Sequence, residues 1–258
     1  MRVEPLVPLE RPKPKGGRPR MGDREAFEAI AYVLRTGIQW NALPRELGAS
    51  STVHERFQEW VREGFFERLW RAGLTEYDEL VVIDWEWQSA DGAMGKAPLV
   101  PKGGTGAAAG PNPTDRGKRG TKRSLLVDGN GVPLAVAVAG ANRNDCKLLA
   151  ATLGDAAVAR PDPGQVKQHL CLDKGYDHAF VRREAEARGY QHHIRRRGEE
   201  RAEPHPDGKA RRWVVERTFS WLGHSRRLAK EYERSPHSSA AVIYAASIRL
   251  CARRLARS

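Results

Sequence analysis

The chain has 258 residues, enough for one large domain with a small additional module and a substantial core. Its 40% hydrophobic content is ordinary, but 44 Lys and Arg against 32 Asp and Glu leave a net charge of +12, which points to a polyanionic partner, most commonly nucleic acid. No apolar run approaches the ~20 residues that span a bilayer, the first residues lack a signal peptide's apolar stretch, and the isolated Cys146, Cys171 and Cys251 exclude a disulfide framework and fit a reducing, cytoplasmic setting.

Residues 1–22 are rich in Pro and Arg and read as a basic arm, RPKPKGGRPRMG, that offers Arg18 and Arg20 to DNA. Asp23 then caps a helical pattern, DREAFEAIAYVLRTG, in which Phe27, Ile30, Val33 and Leu34 share a face and which Gly37 ends. GIQWNALPRELGAS connects it to a second pattern, STVHERFQEWVREGFFERLW, with Val53, Phe57, Trp60 and Val61 as the buried stripe. Two short helices with a tight polar connection are what a helix-turn-helix requires. Residues 23–75 therefore read as a helical DNA-binding module with Thr52, His54, Glu55 and Arg56 toward the groove; a plain helical bundle is the alternative.

From residue 76 the pattern changes. ELVVID, residues 79–84, is a β-type apolar run that ends at Asp84. Residues 102–123 are Gly-rich and then basic, and Arg116, Lys118, Arg119, Lys122 and Arg123 suit a loop that tracks a phosphate backbone. SLLVDGNGVPLAVAVAG carries a hairpin signal at Asp-Gly-Asn-Gly. A helical stretch around 143–153 leads to HLCLD, a second short run, which ends at Asp173. Lys174 follows directly, placed to orient a phosphate. A turn and helix come next, then a long helix opening in RRWVVERTFSWL, and a final helix over 238–256. This alternation predicts an α/β domain with a mixed sheet.

Two strand patterns that end in aspartates, Asp84 and Asp173, are of interest because neighbouring strand ends share a crevice. Metal-assisted phosphodiester cleavage uses oxygen ligands, since Mg²⁺ is hard and prefers carboxylates and water. Glu216 is the candidate third carboxylate, at the edge of an apolar seam of Val215, Phe219 and Leu222. Arg212, one turn earlier, makes an ordinary surface ion pair the competing reading, and geometry leaves the two level. His169, Cys171, His192 and His193 fit no standard zinc spacing.

WVVERTFSWL with RRLAKEYER, DKGYD at 173–177, and GPNPTDRGKRGTKRSLLVDGNGVPLAVAVAGANRND resemble the DDE transposases of bacterial insertion sequences, in the subgroup with an ERxFxWL helix. GRPR, VLRTGIQW and LP extend the resemblance over nearly the whole chain. It implies a ribonuclease-H-like catalytic core over 76–258, a divalent cation (Mg²⁺, with Mn²⁺ as substitute), and cutting and joining at terminal inverted repeats and target DNA by a dimer or higher assembly. Carried over by motif, the catalytic and metal-binding triad is Asp84, Asp173 and Glu216, and Arg212 contacts DNA, with Trp213 beside it. The chain departs from the pattern where Lys209 replaces a tyrosine and Gly223 a lysine, for which Arg226, Arg227 or Lys230 could substitute. WEWQSADGAMGKAPL offers Glu86 and Asp91 as rivals to Asp84, which is preferred because it alone ends a strand pattern. A nuclease without strand transfer and a DNA-binding regulator are the alternative functions.

Overall fold

The computed structural model describes residues 3–10, 16, 19–100, 109–195 and 211–256. Helix α1 (Asp23–Thr36) carries Asp23 and Glu25 in its first turn, where they complement the helix dipole, and closes on Gly37 at φ 71°. Helix α2 (Ser50–Arg62) buries Val53, Phe57 and Trp60. The pattern that reads as one helix in sequence breaks at Gly64, whose φ of 69° starts α3 (Phe65–Val81) in a new direction.

Helix α3 buries Phe66, Leu69, Trp70, Leu74 and Tyr77, a 3.6-residue period that carries it to Val81. This corrects the expectation of a strand at ELVVID. The run supplies the last helical turn, and its apolar side chains are largely outside the core: Leu80 and Val82 are 67% and 65% exposed, and only Ile83 among the residues after the helix is buried before Trp85.

The first strand is β1 (Trp87–Lys96). The sheet continues with the two-residue β2 (Gly110–Pro111), β3 (Arg119–Asp128), β4 (Pro133–Gly140), β5 (Gln168–Leu172) and β6 (Tyr190–Ile194). Strands β3 and β4 form the expected hairpin: Gly131 takes φ 82°, and the Asp128 side chain accepts the Asn130 and Val132 N–H groups at 3.0 and 2.6 Å. The order is β4-β3-β1-β5-β6, with β2 on the β4 edge of β3. The pairs β1/β3 and β3/β4 are antiparallel, β1/β5 and β5/β6 parallel. That is the mixed, ribonuclease-H-like sheet the resemblance implies.

Helices α4 (Asp145–Gly154), α5 (Ala179–Ala187), α6 (Trp213–Gly223) and α7 (Pro236–Leu255) complete the fold. One apolar core runs from Ala26 and Trp60 through the sheet to Val242 and Cys251. Trp70 of α3 stacks on Tyr244 of α7 at 4.8 Å. The expected boundary at residue 75 lies inside α3, and α3 is shared between the N-terminal helices and α7. No helix among the described residues is long and apolar enough to cross a membrane.

Candidate active site

Strands β1 and β5 are parallel, with Trp87 opposite His169 and Ser89 opposite Cys171. Side chains alternate faces along a strand, so two residues further on Asp91 and Asp173 share one face and one end of the sheet. Asp173 is the first residue beyond β5 and caps the short turn Lys174–Tyr176 by accepting the Gly175 N–H. Burial pushes the Asp91 carboxyl above the usual range; the Gly92 N–H and Arg212 oppose that shift, while Asp173 and Asp145 add to it.

Arg212 precedes α6 and Glu216 lies in its first turn. The guanidinium makes the pair foreseen from spacing, Nη2 to Glu216 Oε1 at 2.7 Å, and reaches Asp91 Oδ2 with Nη1 at 3.1 Å. Glu216 is thereby linked to the sheet, while Val215, Thr218 and Leu222 face the core; Thr218 takes the place expected of Phe219, which is only partly buried.

Asp84 is elsewhere. It sits between α3 and β1, its N–H donates to Asp128 at 3.1 Å, and its carboxylate accepts the Trp87 N–H. A Cβ on Gly129, in the β3–β4 turn, would overlap Asp84 Oδ2. It therefore lies where β1 begins, whereas Asp173 lies where the parallel β5 ends. The reason for preferring it to Asp91, that it ends a strand, does not hold: β1 starts three residues later and carries Asp91 at its centre. Glu86 is also before the strand and accepts from Trp87 Nε1 at 3.2 Å.

The donors at the sheet end are all carboxylates, the set a hard dication prefers. Asp145 at the start of α4 lies over Gly92, on the face of β1 opposite the Asp91 side chain; it pairs with Lys122 at 2.8 Å, and its Oδ1 is buried without a hydrogen-bond partner. Among the described residues no three Asp, Glu, His or Cys side chains are gathered as a ready ion site, and the positive charge between Asp91 and Glu216 is that of Arg212. Sequence reasoning missed the Lys122–Asp145 pair, since ANRND reads only as a helix start.

The expected DNA contacts divide. Arg116, Lys118, Lys174, Arg226 and Lys230 are exposed, and Arg119 opens β3 half-buried. Lys122 is buried against Asp145 at 2.8 Å, and Arg123 donates to the Leu228 and Lys230 carbonyls and to Glu231. These two belong to strand β3, which explains why they are not part of a loop. Arg227 pairs with Glu233, both 7% exposed, and is not free to replace a lysine. Trp213 is half-exposed, with the Arg217 guanidinium 4.5 Å from its ring.

The α2 expectation also needs correction. Arg56 is 4% exposed and pairs with Asp23 and the Met21 carbonyl, so it points inward. His54 packs tilted against Trp40 with ring centroids 4.9 Å apart, and Arg20 binds Glu59 at 2.5 Å. Thr52 is exposed, but it borders a groove of about 770 Å³ whose lining includes Glu25, Glu28, Glu46, Glu55 and Glu59. Arg18 lies outside the described residues.

Sheet order and strand directions define the class of ribonuclease-H-like domains. Residues 96–251 match the family model described as the transposase DDE domain, and residues 1–70 that of the putative transposases of the IS4/5 family. The first match takes in more than half of the chain, and the chain belongs to the DDE-domain transposase family. It is 42% identical over 130 residues to a putative transposase for insertion sequence element IS402 of Burkholderia cepacia, spanning 48% of this chain and 59% of that protein. A second, uncharacterized protein of the same element is 31% identical over 99 residues, covering 37% of this chain and 67% of its own length. Of solved structures, a pre-cleavage Mos1 transpososome aligns over 96% of this chain and 80% of its own with TM-score 0.36 and 15% identity, and a Mos1 paired end complex with Mg over 96% and 81% with TM-score 0.36 and 13% identity. Likeness at that level carries no argument about this chain.

Proposed function

We propose that the chain acts as the transposase of a bacterial insertion sequence, binding its terminal inverted repeats, cleaving DNA there and joining the freed ends to target DNA. The observation that carries this reading is the parallel register of β1 and β5, which supports a site built from Asp91 and Asp173 with Glu216 reached through Arg212. Asp91 replaces Asp84 as the first acid.

Mg²⁺, or Mn²⁺ in its place, held by Asp91, Asp173 and Glu216 would supply Lewis-acid activation of the attacking oxygen and stabilisation of the leaving one. The residues of the chain do the rest. The three carboxylates provide hard oxygen donors. Arg212, released from Asp91, offers two parallel N–H donors to a phosphate, the geometry guanidinium groups favour. Lys174 beside Asp173, and Arg116 and Lys118 on the turn before β3, are exposed cations suited to the strand backbone. Trp213, Arg217 and Trp221 interleave rings and a cation along α6, and Arg254 of α7 lies over the Trp221 ring. Joining two ends requires at least two copies on DNA, and the bacterial cytoplasm is where such DNA lies.

The test uses DNA bearing the inverted repeats that bracket the gene. Asp91→Asn, Asp173→Asn and Glu216→Gln should each abolish Mg²⁺-dependent cleavage and keep end binding, whereas Asp84→Asn should cleave. Cleavage by Asp91→Asn together with its loss in Asp84→Asn would return the first acid to Asp84. Cut ends that never join would mark a nuclease.

A further inference from the structure

Resting on the reading of DNA as substrate, we propose that the cleft between the end of α6 and the last turns of α7 is a second DNA-contact site, which grips a backbone phosphodiester away from the carboxylates. The cleft encloses about 260 Å³. Arg249, Arg253 and Arg254 of α7 line it with Trp221 and His224 at the end of α6, and no carboxylate does. The three arginines follow helical spacing and share one side of α7.

The fold alone does not account for this charge. Arg253 and Arg254 lie in the last turn of α7, where the helix dipole favours cations, but Arg249 lies a turn earlier. Among the described residues Arg249 and Arg253 make no ion pair, and like charges at their spacing repel. Asp128, whose charge acts on Arg217 and Arg254, is fully buried and does not line the cleft. Arg217 and Arg254 lie over the Trp221 ring at 4.5 and 4.9 Å and both donate to the Asn130 carbonyl, at 3.0 and 2.8 Å. Burial first and then the charge of Arg254 hold the Arg217 guanidinium below its ordinary value, and its Nε is buried without a partner. Crowded guanidinium groups with no acid among them match a phosphate. Trp213, Arg217, Trp221 and His224 recur at helical spacing, so rings and cations lead along α6 from the turn that holds Glu216 to the cleft. A rise of ~1.5 Å per residue puts His224 about 12 Å from Glu216 along the helix axis, roughly three to four nucleotides of one strand. The cleft therefore takes a different phosphate from the one at the carboxylates.

Salt-titrated binding of the full chain, without metal, to a duplex bearing the inverted repeat tests this. Arg249→Gln with Arg253→Gln should bind several-fold more weakly and lower the slope of log affinity against log salt by about 1. If that double variant melts early, Arg253→Glu at an exposed position gives the same comparison. Arg62→Gln with Arg183→Gln removes two exposed charges outside the cleft and should change neither quantity as much. Parental affinity and slope in the cleft variants, or an equal fall in the control, would overturn the assignment. Calorimetric titration with pyrophosphate separates the sources of phosphate: cleft variants that lose pyrophosphate but keep parental DNA binding would mark a pocket for a free anion, and overturn it too. A parent without affinity for the duplex would sink the transposase reading as well, whereas parental behaviour of the cleft variants sinks this site alone.

Discussion

Arg212 occupies two roles that sequence reasoning kept apart. It is the ion-pair partner of Glu216, and it also ties that helix to Asp91 on β1. Side chains that are 31%, 21% and 53% exposed make this a partly solvated network, worth about 1 kcal/mol or less to the fold. Its larger effect is competition with a cation for the same carboxylates. Arg212→Ala should therefore bind Mn²⁺ several-fold more tightly in the absence of DNA while cleaving more slowly; unchanged affinity in the Mn²⁺ titration would separate Arg212 from the cation site. At the opposite end of β1 the decisive residue is Asp128. It is fully buried, and burial pushes its carboxyl up to about 6, against the Val132 and Asp84 N–H groups, Arg254 and the Asn130 N–H. The folded chain holds a proton there that the unfolded chain has released. Stability is then fullest below the ordinary aspartate value and falls as pH rises from about 4 through about 6, by roughly 3 kcal/mol for two units. Melting temperatures from pH 4 to 7 should show that decline, and Asp128→Asn should flatten it, at the cost of the bond from the Asp84 N–H.

Among the elements, α2 departs most from its expected role. Its exposed face carries Ser51, Thr52 and Glu55, and Arg56 is turned inward to Asp23. Arg56→Ala should destabilise the fold by about 2 kcal/mol, below the ~3–5 kcal/mol for breaking a fully buried pair because Asp23 is itself solvated, and should leave DNA affinity per folded molecule unchanged. Denaturant melts beside salt-matched binding curves check this; lost affinity with parental stability would restore α2 as a groove helix. The helices were legible because their apolar residues recur at 3.6, and the β3–β4 hairpin because its turn residues are specific. Strand β1 was not. WQSADGAMGK fills its positions with Ser, Ala and Gly where strand propensity would favour branched or aromatic residues, so the apolar run before it took its place and Asp84 was preferred to Asp91. Asp173 and Glu216 were readable because an apolar strand and a helical spacing frame them. The Lys122–Asp145 pair was not, since its partners are distant in sequence.

For the molecule as a whole, the question is whether recognition and chemistry are separable parts. Residues 23–75 look detachable in sequence, but the core does not divide there. A cut at residue 75 removes most of α3, leaving Tyr244 without Trp70 and the α7 side chains Val242 and Ala246 without their cover. It also removes Gly37, which lies close against the Arg226 backbone, and the Ile38 carbonyl that accepts from Arg227 at 3.1 Å. Those contacts hold the segment that joins α6, with Glu216, to α7. Exposed apolar surface of that kind drives association. A fragment of residues 76–258 should therefore aggregate or melt without cooperativity. Removing residues 1–18 alone should lower the melt only modestly, since Val3, Leu6 and Val7 pack on the core's edge, and should reduce the salt dependence of DNA binding, because cations that release counterions leave with that segment. Calorimetry and salt-titrated binding of the two truncations decide the matter. A soluble 76–258 fragment with one sharp transition and metal-dependent nicking would show that the catalytic fold stands alone, and that the shared core is packing it can lose.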